Sequence, residues 1–209
     1  MGLLLHYFKH LRQGMDIDPK IVQAVDSLGN VDDAGQYPLN VQRNGRWAQK
    51  GYYIPNYNSW FIPYIEGSIN SHRIVYGQDV LSTEFSGCAL ARFKDINGDL
   101  NVAHICFHNN SIMDCKNMWI EFCRNKCLSI KPIIFCPTIG DLKIITESYV
   151  YIDVCWGLIS SEGICHNIKV QRIKNGETGD ECGYMFDSIN DTVPTFPCSF
   201  WKEYYIPMH

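Results

Sequence analysis

The 209-residue chain lacks a surplus of positive charge: 18 Lys and Arg stand against 22 Asp and Glu, giving a formal net charge of −4. A protein whose main partner is a nucleic acid needs a basic surface to neutralise phosphates. The sequence also has no apolar run that approaches the roughly 18 residues needed to span a bilayer. We therefore expect no nucleic-acid partner and no membrane span.

Targeting and metal-binding signatures are also scarce. The apolar run in residues 1–6 is too short for a secretory signal, so we expect no entry into the secretory pathway. The sequence has no Cys-x-x-Cys motif. The pairs that come nearest to zinc-ligand spacing are Cys123 with Cys127 and Cys106 with His108. A structural zinc ion, however, needs four ligands at fixed distances. We expect no metal and no cofactor.

Cysteine, by contrast, is plentiful, with ten residues. An even number would suit five disulfides in a secreted scaffold. Against that interpretation, Cys115 and Cys123 fall on the apolar face of a predicted helix, and Cys136 and Cys155 lie in strand-like runs. A buried thiol packs as a small hydrophobic group. We expect the cysteines to be mainly reduced and structural.

The pattern of apolar residues predicts an α+β fold. Apolar residues make up 46% of the chain, enough for one substantial core. Helical periodicity appears over residues 1–12, 19–28 and 110–125. Strand-like segments lie at 60–65, 73–76, 89–93, 101–105, 133–136, 142–155, 164–173, 182–186 and 196–205. We predict a mixed or antiparallel β-sandwich flanked by two or three helices, a single catalytic domain over 1–209 with 1–30 as a helical appendage.

A cysteine and a histidine lie on the two arms of one predicted hairpin. Cys88 follows Ser86-Gly87, and His104 comes sixteen residues later, across the turn at residues 95–99. A two-residue turn at Asn97-Gly98 would put the two side chains on opposite faces. A three-residue loop with Gly98 in the left-handed conformation pairs Leu90 with His104 and puts Cys88 on the same face as His104. We predict the three-residue loop.

These residues carry a family resemblance. Phe85-Ser86-Gly87-Cys88, followed by Val102-Ala103-His104-Ile105, resembles the Leu-Ser-Gly-Cys motif and downstream histidine of the cytotoxic necrotizing factor catalytic domain. It is also similar to Burkholderia lethal factor and, more distantly, to the chemoreceptor glutamine deamidase CheD. The resemblance covers about residues 80–106. It implies a toxin or effector that converts a glutamine of a target protein to glutamate.

The resemblance also implies roles for individual residues. Cys88 would be the nucleophile, and His104 would either hold its thiolate as an ion pair or take its proton. Lethal factor and CheD have a threonine six residues before the cysteine, where this chain has Ser82, followed by Thr83. Either hydroxyl would accept a hydrogen bond from His104 and orient the ring. By analogy the substrate would be a host translation-initiation helicase or small GTPase, attacked in the host cytosol by a bacterial effector.

Two alternatives stay open at this point. In a papain-like hydrolase or transglutaminase, Cys88 would begin a helix and His166 would be its partner. In a non-catalytic cysteine-rich protein-binding module, the aromatic-rich segment between Trp47 and Tyr64 would form a recognition surface. The short distance between Cys88 and the Asn97-Gly98 turn leaves little room for a helix and favours the hairpin.

Overall fold

The computed structural model describes residues 1–26, 46–83, 85, 87–106, 115, 117–119, 121–122, 133–137 and 143–192. Helices α1 and α2 span Leu3–His10 and Pro19–Asp26, and residues 115, 117–119 and 121–122 belong to a third helix, α3. The strands are β1 (Arg46–Ala48), β2 (Tyr52–Ile54), β3 (Ser59–Phe61), β4 (Ser68–Arg73), β5 (Val80–Ser82), β6 (Ala89–Lys94), β7 (Leu100–Ile105), β8 (Ile133–Phe135), β9 (Lys143–Ile145), β10 (Tyr149–Ile159), β11 (Cys165–Asn175) and β12 (Glu181–Thr192).

The strands form two sheets that pack face to face. The smaller sheet has the order β1-β4-β7-β6-β8, and the larger has the order β12-β11-β10-β5-β3-β2 with β9 beside β10. Most neighbours are antiparallel, whereas β1 with β4 and β3 with β5 are parallel. An inter-sheet core, with members such as Val80 and Cys155 from the larger sheet and Leu90 and Val102 from the smaller, lies between them. The α+β sandwich predicted from the sequence is confirmed.

Helices cover the outer face of each sheet. Leu4, Phe8 and Ile21 of α1 and α2 are fully buried against the larger sheet, in a core that includes Trp156. Trp119 of α3 packs in the corresponding core of the smaller sheet. The N-terminal helices, which the sequence suggested as an appendage, therefore share the core of the domain. None of the described helices is long and apolar enough to cross a bilayer.

Some predicted strands differ from the observed ones in their bounds; of the segment 60–65, only residues 60–61 lie in a strand, β3. The segment 73–76 was predicted as a strand, but β4 ends at Arg73, and the chain then turns at Gly77 with φ +90°. Its apolar residues Val75 and Tyr76 are 61% and 74% exposed, so their β-propensity did not reflect burial. The run over 142–155 is divided into β9 and β10, and residues 147–148 form the bend between them. The predicted strand at 196–205 lies outside the described residues.

A buried carboxylate connects α1 to the larger sheet. Asp79, fully buried just before β5, accepts hydrogen bonds from Leu5 N at 2.9 Å and from Ser161 N at 2.7 Å. Leu5 N lies in the first turn of α1, where backbone N–H groups have no acceptor within the helix and favour a negative charge. One side chain thus provides acceptors for two segments that are far apart in sequence.

We expect Asp79→Ala to destabilise the fold strongly. The substitution leaves two N–H groups without their acceptor, and each loss costs about 1–3 kcal/mol, so the free energy of unfolding should fall by about 2–5 kcal/mol. Urea denaturation measures it. Asp180→Ala, at an exposed position in the turn before β12, is the control and should change stability by less than about 0.5 kcal/mol. Equal stability of the two variants would contradict the anchoring role of Asp79.

Candidate functional site

The hairpin adopts the predicted register. β6 and β7 pair so that Leu90 lies directly opposite His104, and Gly98 takes φ +82° in a three-residue loop. Cys88 lies immediately before β6, two residues from Leu90, and both belong to the inter-sheet core. Side chains two residues apart in an extended segment point to the same face. Cys88 and His104 therefore both face the larger sheet, as the three-residue loop required.

The ring of His104 is oriented by a hydroxyl from the opposite sheet. Ser82, the last residue of β5, has its Oγ 2.7 Å from His104 Nδ1 and donates its own hydrogen to the carbonyl oxygen of Ile62. A hydroxyl has one hydrogen to donate, so Ser82 accepts from His104, and Nδ1 carries the proton. Of the two hydroxyls considered, Ser82 is thus the one that contacts the ring. Thr83 is buried and makes no hydrogen bond to His104.

The other ring nitrogen is left as a base. With the proton on Nδ1, Nε2 of the neutral ring has a lone pair. This atom is buried and has no hydrogen-bond partner among the described residues, so it is not bonded to Cys88 Sγ. A catalytic hydrogen bond is often long before substrate binds. The arrangement supplies an oriented proton acceptor on the face that carries the thiol.

Burial keeps His104 uncharged. The side chain of Phe85 stacks on the imidazole with ring centroids 4.4 Å apart and planes 8° from parallel, and Tyr64 approaches it edge-on at 5.4 Å. The residue is only 1% exposed, and this desolvation lowers the His104 pKa from 6.5 to about 3. A resting thiolate–imidazolium ion pair, one of the two expected roles, is therefore disfavoured. The role as proton acceptor fits the neutral ring.

The thiol lies just beneath the surface. Cys88 is 6% exposed, and Gly87 before it has φ +125°, a conformation that side-chain-bearing residues rarely adopt. Among the described residues other than its chain neighbours, no heavy atom lies within 4 Å of the place that a Cβ atom at Gly87 would take. Gly87 is thus required by its backbone conformation rather than by crowding. Glu84 and Ser86, on either side of Phe85, lie outside the described residues.

Tyr64 is a site residue that spacing alone did not reveal. Its hydroxyl accepts a 3.5 Å hydrogen bond from Cys106 Sγ, and the same sulfur accepts from Gly67 N at 3.3 Å. Burial, followed by the neighbouring thiols of Cys106 and Cys88, raises the pKa of Tyr64 above its ordinary value, so the phenol keeps its proton. The only sequence signal was its place in the aromatic-rich segment. Of that segment, Trp47 and Phe61 are buried core residues.

The geometry expected for the papain-like alternative is not present around Cys88. The residues after Cys88 form strand β6 rather than a helix. His166 lies on β11 next to Cys165, which faces the inter-sheet core, so His166 points to the opposite, helix-covered face. There its Nδ1 lies 2.8 Å from Asp191 Oδ1. His166 is thus separated from Cys88 by the larger sheet.

The described cysteines carry thiols. Six of the seven are buried and Cys182 is exposed, with no disulfide among them. Within the part of the chain that the structure describes, no three His, Cys, Asp or Glu side chains converge as metal ligands. Cys123, Cys127 and His108, the residues considered for zinc, fall outside the described part, as does Cys198. The expectation of reduced thiols is met wherever the structure describes a cysteine.

Comparison with known proteins returns no relative. No protein-family model matches the chain, no curated protein is significantly similar to it, and no solved structure matches its fold.

Ser82→Ala tests the orientation of the His104 ring. The variant removes the acceptor from Nδ1–H, so the ring loses its fixed tautomer, and we expect alkylation of Cys88 by iodoacetamide to slow by about 10-fold or more, within the range that general-base assistance provides. Mass spectrometry of the Cys88 peptide gives the rate. Thr83→Ala, the adjacent buried hydroxyl without a bond to the ring, should leave the rate unchanged. Equal slowing in both variants would indicate a structural effect alone.

Proposed function

We propose that the protein is a cysteine-dependent deamidase that converts a glutamine side chain of a target protein to glutamate. Cys88 is the nucleophile, His104 the proton acceptor and donor, and Ser82 the residue that positions His104. The observation that carries the proposal is the hydrogen bond from His104 Nδ1 to Ser82, 2.7 Å long, which leaves the lone pair on Nε2, in a ring on the same face as the thiol. The motif resemblance around Cys88 supports the reaction class.

The proton balance of the reaction follows from a neutral histidine. His104 Nε2 takes the thiol proton as Cys88 Sγ attacks the carboxamide carbon, and the backbone N–H of Cys88 is our candidate donor to the oxyanion. The protonated ring then donates to the leaving nitrogen, the C–N bond breaks and ammonia departs. Water then attacks the thioester carbon as His104 takes one of its protons, and the C–S bond breaks. The proton on His104 returns to Cys88 Sγ, and the target protein leaves with a glutamate side chain. No cofactor enters this sequence.

The burial of Cys88 and His104 favours a substrate whose amide lies at the end of a narrow, uncharged side chain. In a low-dielectric pocket, an attack coupled to proton transfer avoids forming a separate thiolate and imidazolium in the resting enzyme. Tyr64 and Gly87, both half-buried, border the pair on the side that solvent reaches. A glutamine side chain, with its uncharged terminal amide, enters such a site at lower desolvation cost than a charged group does.

The biological setting follows only from the motif resemblance. It favours a bacterial toxin or effector that contributes to virulence by acting on a host protein in the host cytosol. A translation-initiation helicase and a small GTPase are the two target classes that the analogy offers. The surface around Tyr64 and Gly87 would select among such targets, because the chemistry itself requires only a carboxamide.

One experiment separates this reaction from its close relatives. A host-cell lysate is incubated with the protein and a primary-amine probe, and peptides are analysed by mass spectrometry while ammonia is measured. Deamidation predicts glutamine-to-glutamate conversion at defined sites, with matching ammonia release and no new amino termini. New termini would indicate a protease, and probe incorporation a transglutaminase. No change of any of these kinds would leave the non-catalytic binding module as the better description.

A further inference from the structure

The exposed face of α1 carries two histidines at the spacing of one helical turn. His6 and His10 stand four residues apart, so their side chains project from the same face. Their ring centroids lie 4.1 Å apart with planes tilted by 37°. Both residues are exposed, and neither takes part in the Cys88–His104 site. Two imidazoles held side by side at a helix surface can chelate one ion.

The protonation of His10 already suits a metal ligand. Its Nδ1 lies 2.8 Å from the backbone carbonyl oxygen of His6. A carbonyl only accepts, so Nδ1 carries the proton and Nε2 presents its lone pair outward. Histidines that bind metals commonly donate their other ring N–H to a carbonyl or carboxylate, which fixes the tautomer and the ring orientation. His10 therefore already makes the hydrogen bond that commonly orients a metal-binding histidine.

An open groove gives the ion room to complete its coordination with water. The groove, about 400 Å³ in volume, runs between α1 and a one-turn 3₁₀ helix at Pro55–Tyr57. Its lining combines the two histidines with Leu3, Tyr7, Leu11, Asn56 and Tyr57. The Tyr57 hydroxyl already donates a hydrogen bond to Asp18 Oδ2 at 2.6 Å, so we do not count it among the metal ligands. The ammonium group of Lys9, on the same helix, lies 3.8 Å from Asp191, which partly offsets its charge.

We infer that His6 and His10 form a surface site for one divalent transition-metal ion of the Ni²⁺, Cu²⁺ and Zn²⁺ class, bound by two imidazoles and water. Imidazole suits these three ions, whereas Mg²⁺ and Ca²⁺ prefer oxygen ligands. The ion lies on the outer face of α1, away from the inter-sheet core, so the site is independent of the proposed deamidase chemistry.

The test is a calorimetric titration of the untagged, full-length chain with Ni²⁺. All proteins carry Cys182→Ser, because the exposed Cys182 thiol would compete for the ion. We expect one equivalent to bind. Since loss of an outer-shell partner alone lowers metal affinity by about 10–100-fold, His6→Ala and His10→Ala should each lower it at least that much. Lys9→Ala, an exposed change on the same helix, is the matched control and should retain the affinity.

Nuclear magnetic resonance gives an independent reading of the same site. Substoichiometric paramagnetic Ni²⁺ should broaden the imidazole signals of His6 and His10 before those of His72, which lies on β4. Alanine is the best helix former, so the variants should remain folded by circular dichroism. Unchanged affinity in either single variant, or broadening that begins at another histidine, overturns the inference.

Discussion

Cys88→Ala should abolish deamidation while the protein remains folded. Removing the sulfur removes the only group in the proposed mechanism that forms a bond to the substrate, and loss of a catalytic nucleophile typically costs three or more orders of magnitude in rate. Glutamine-to-glutamate conversion and ammonia release in the host-cell lysate are the measurements. The alanine side chain fits a site where the thiol is almost completely buried, so the variant should unfold cooperatively in urea.

The matched control is another thiol of the same core. Cys155 on β10 is 1% exposed and belongs to the same inter-sheet core as Cys88. Burial raises its pKa to about 12, which makes it a poor nucleophile. Cys155→Ala therefore removes a comparable volume without removing the proposed chemistry. If both variants kept wild-type activity, Cys88 would not be the nucleophile; if both lost it, the effect would be one of packing.

The sequence was enough to place the hairpin but allowed two registers for it, because Gly98 suits either turn. The structure has the three-residue Ile96-Asn97-Gly98 loop that we predicted, and this loop sets the register over the whole of β6 and β7. Because strands alternate, the register alone then assigned Cys88 and His104 to one side. A one-residue shift would have put them on opposite sides.

The sequence could not reveal which side chains outside the hairpin contact His104. Ser82 was proposed together with Thr83, and only packing of the two sheets decides which hydroxyl meets His104. Tyr64 and Phe85 contact the ring through tertiary contacts, with no spacing that marks them beforehand. The depth of burial was also not foreseeable. Burial changes the expected role of His104 from partner of a stable ion pair to neutral base.

We expect His104 to make the free energy of unfolding depend on pH in the acidic range. In the folded state its pKa is about 3, lowered from 6.5 by desolvation. Above pH 6.5 the ring is neutral in both folded and unfolded chains, and stability is complete. Between pH 6.5 and 3 the unfolded chain takes up a proton that the folded chain does not. Stability should therefore fall with decreasing pH by about 1.4 kcal/mol per pH unit for this one group.

His104→Gln isolates that contribution, since glutamine cannot be protonated in this range. Urea denaturation between pH 7.5 and 4 gives the free energy of unfolding of the wild type and the variant. The two values should converge as the pH falls, because only the wild type loses the stability that comes from the lowered pKa of His104. Burial also lowers the pKa values of His72 and His166, but those groups are common to both proteins and cancel in the difference. Parallel curves would mean that His104 is protonated as readily in the folded state as in the unfolded one.

The same titration bears on catalysis, and it can be read without any variant. A ring with a pKa near 3 remains unprotonated at mildly acidic pH, so the ring signals of His104 in the wild-type spectrum should not shift between pH 7.5 and 4. Alkylation of Cys88 should likewise show no step near pH 6.5. A signal that titrates near 6.5 would place His104 in contact with water, and the ion-pair form of the mechanism would then replace the neutral one.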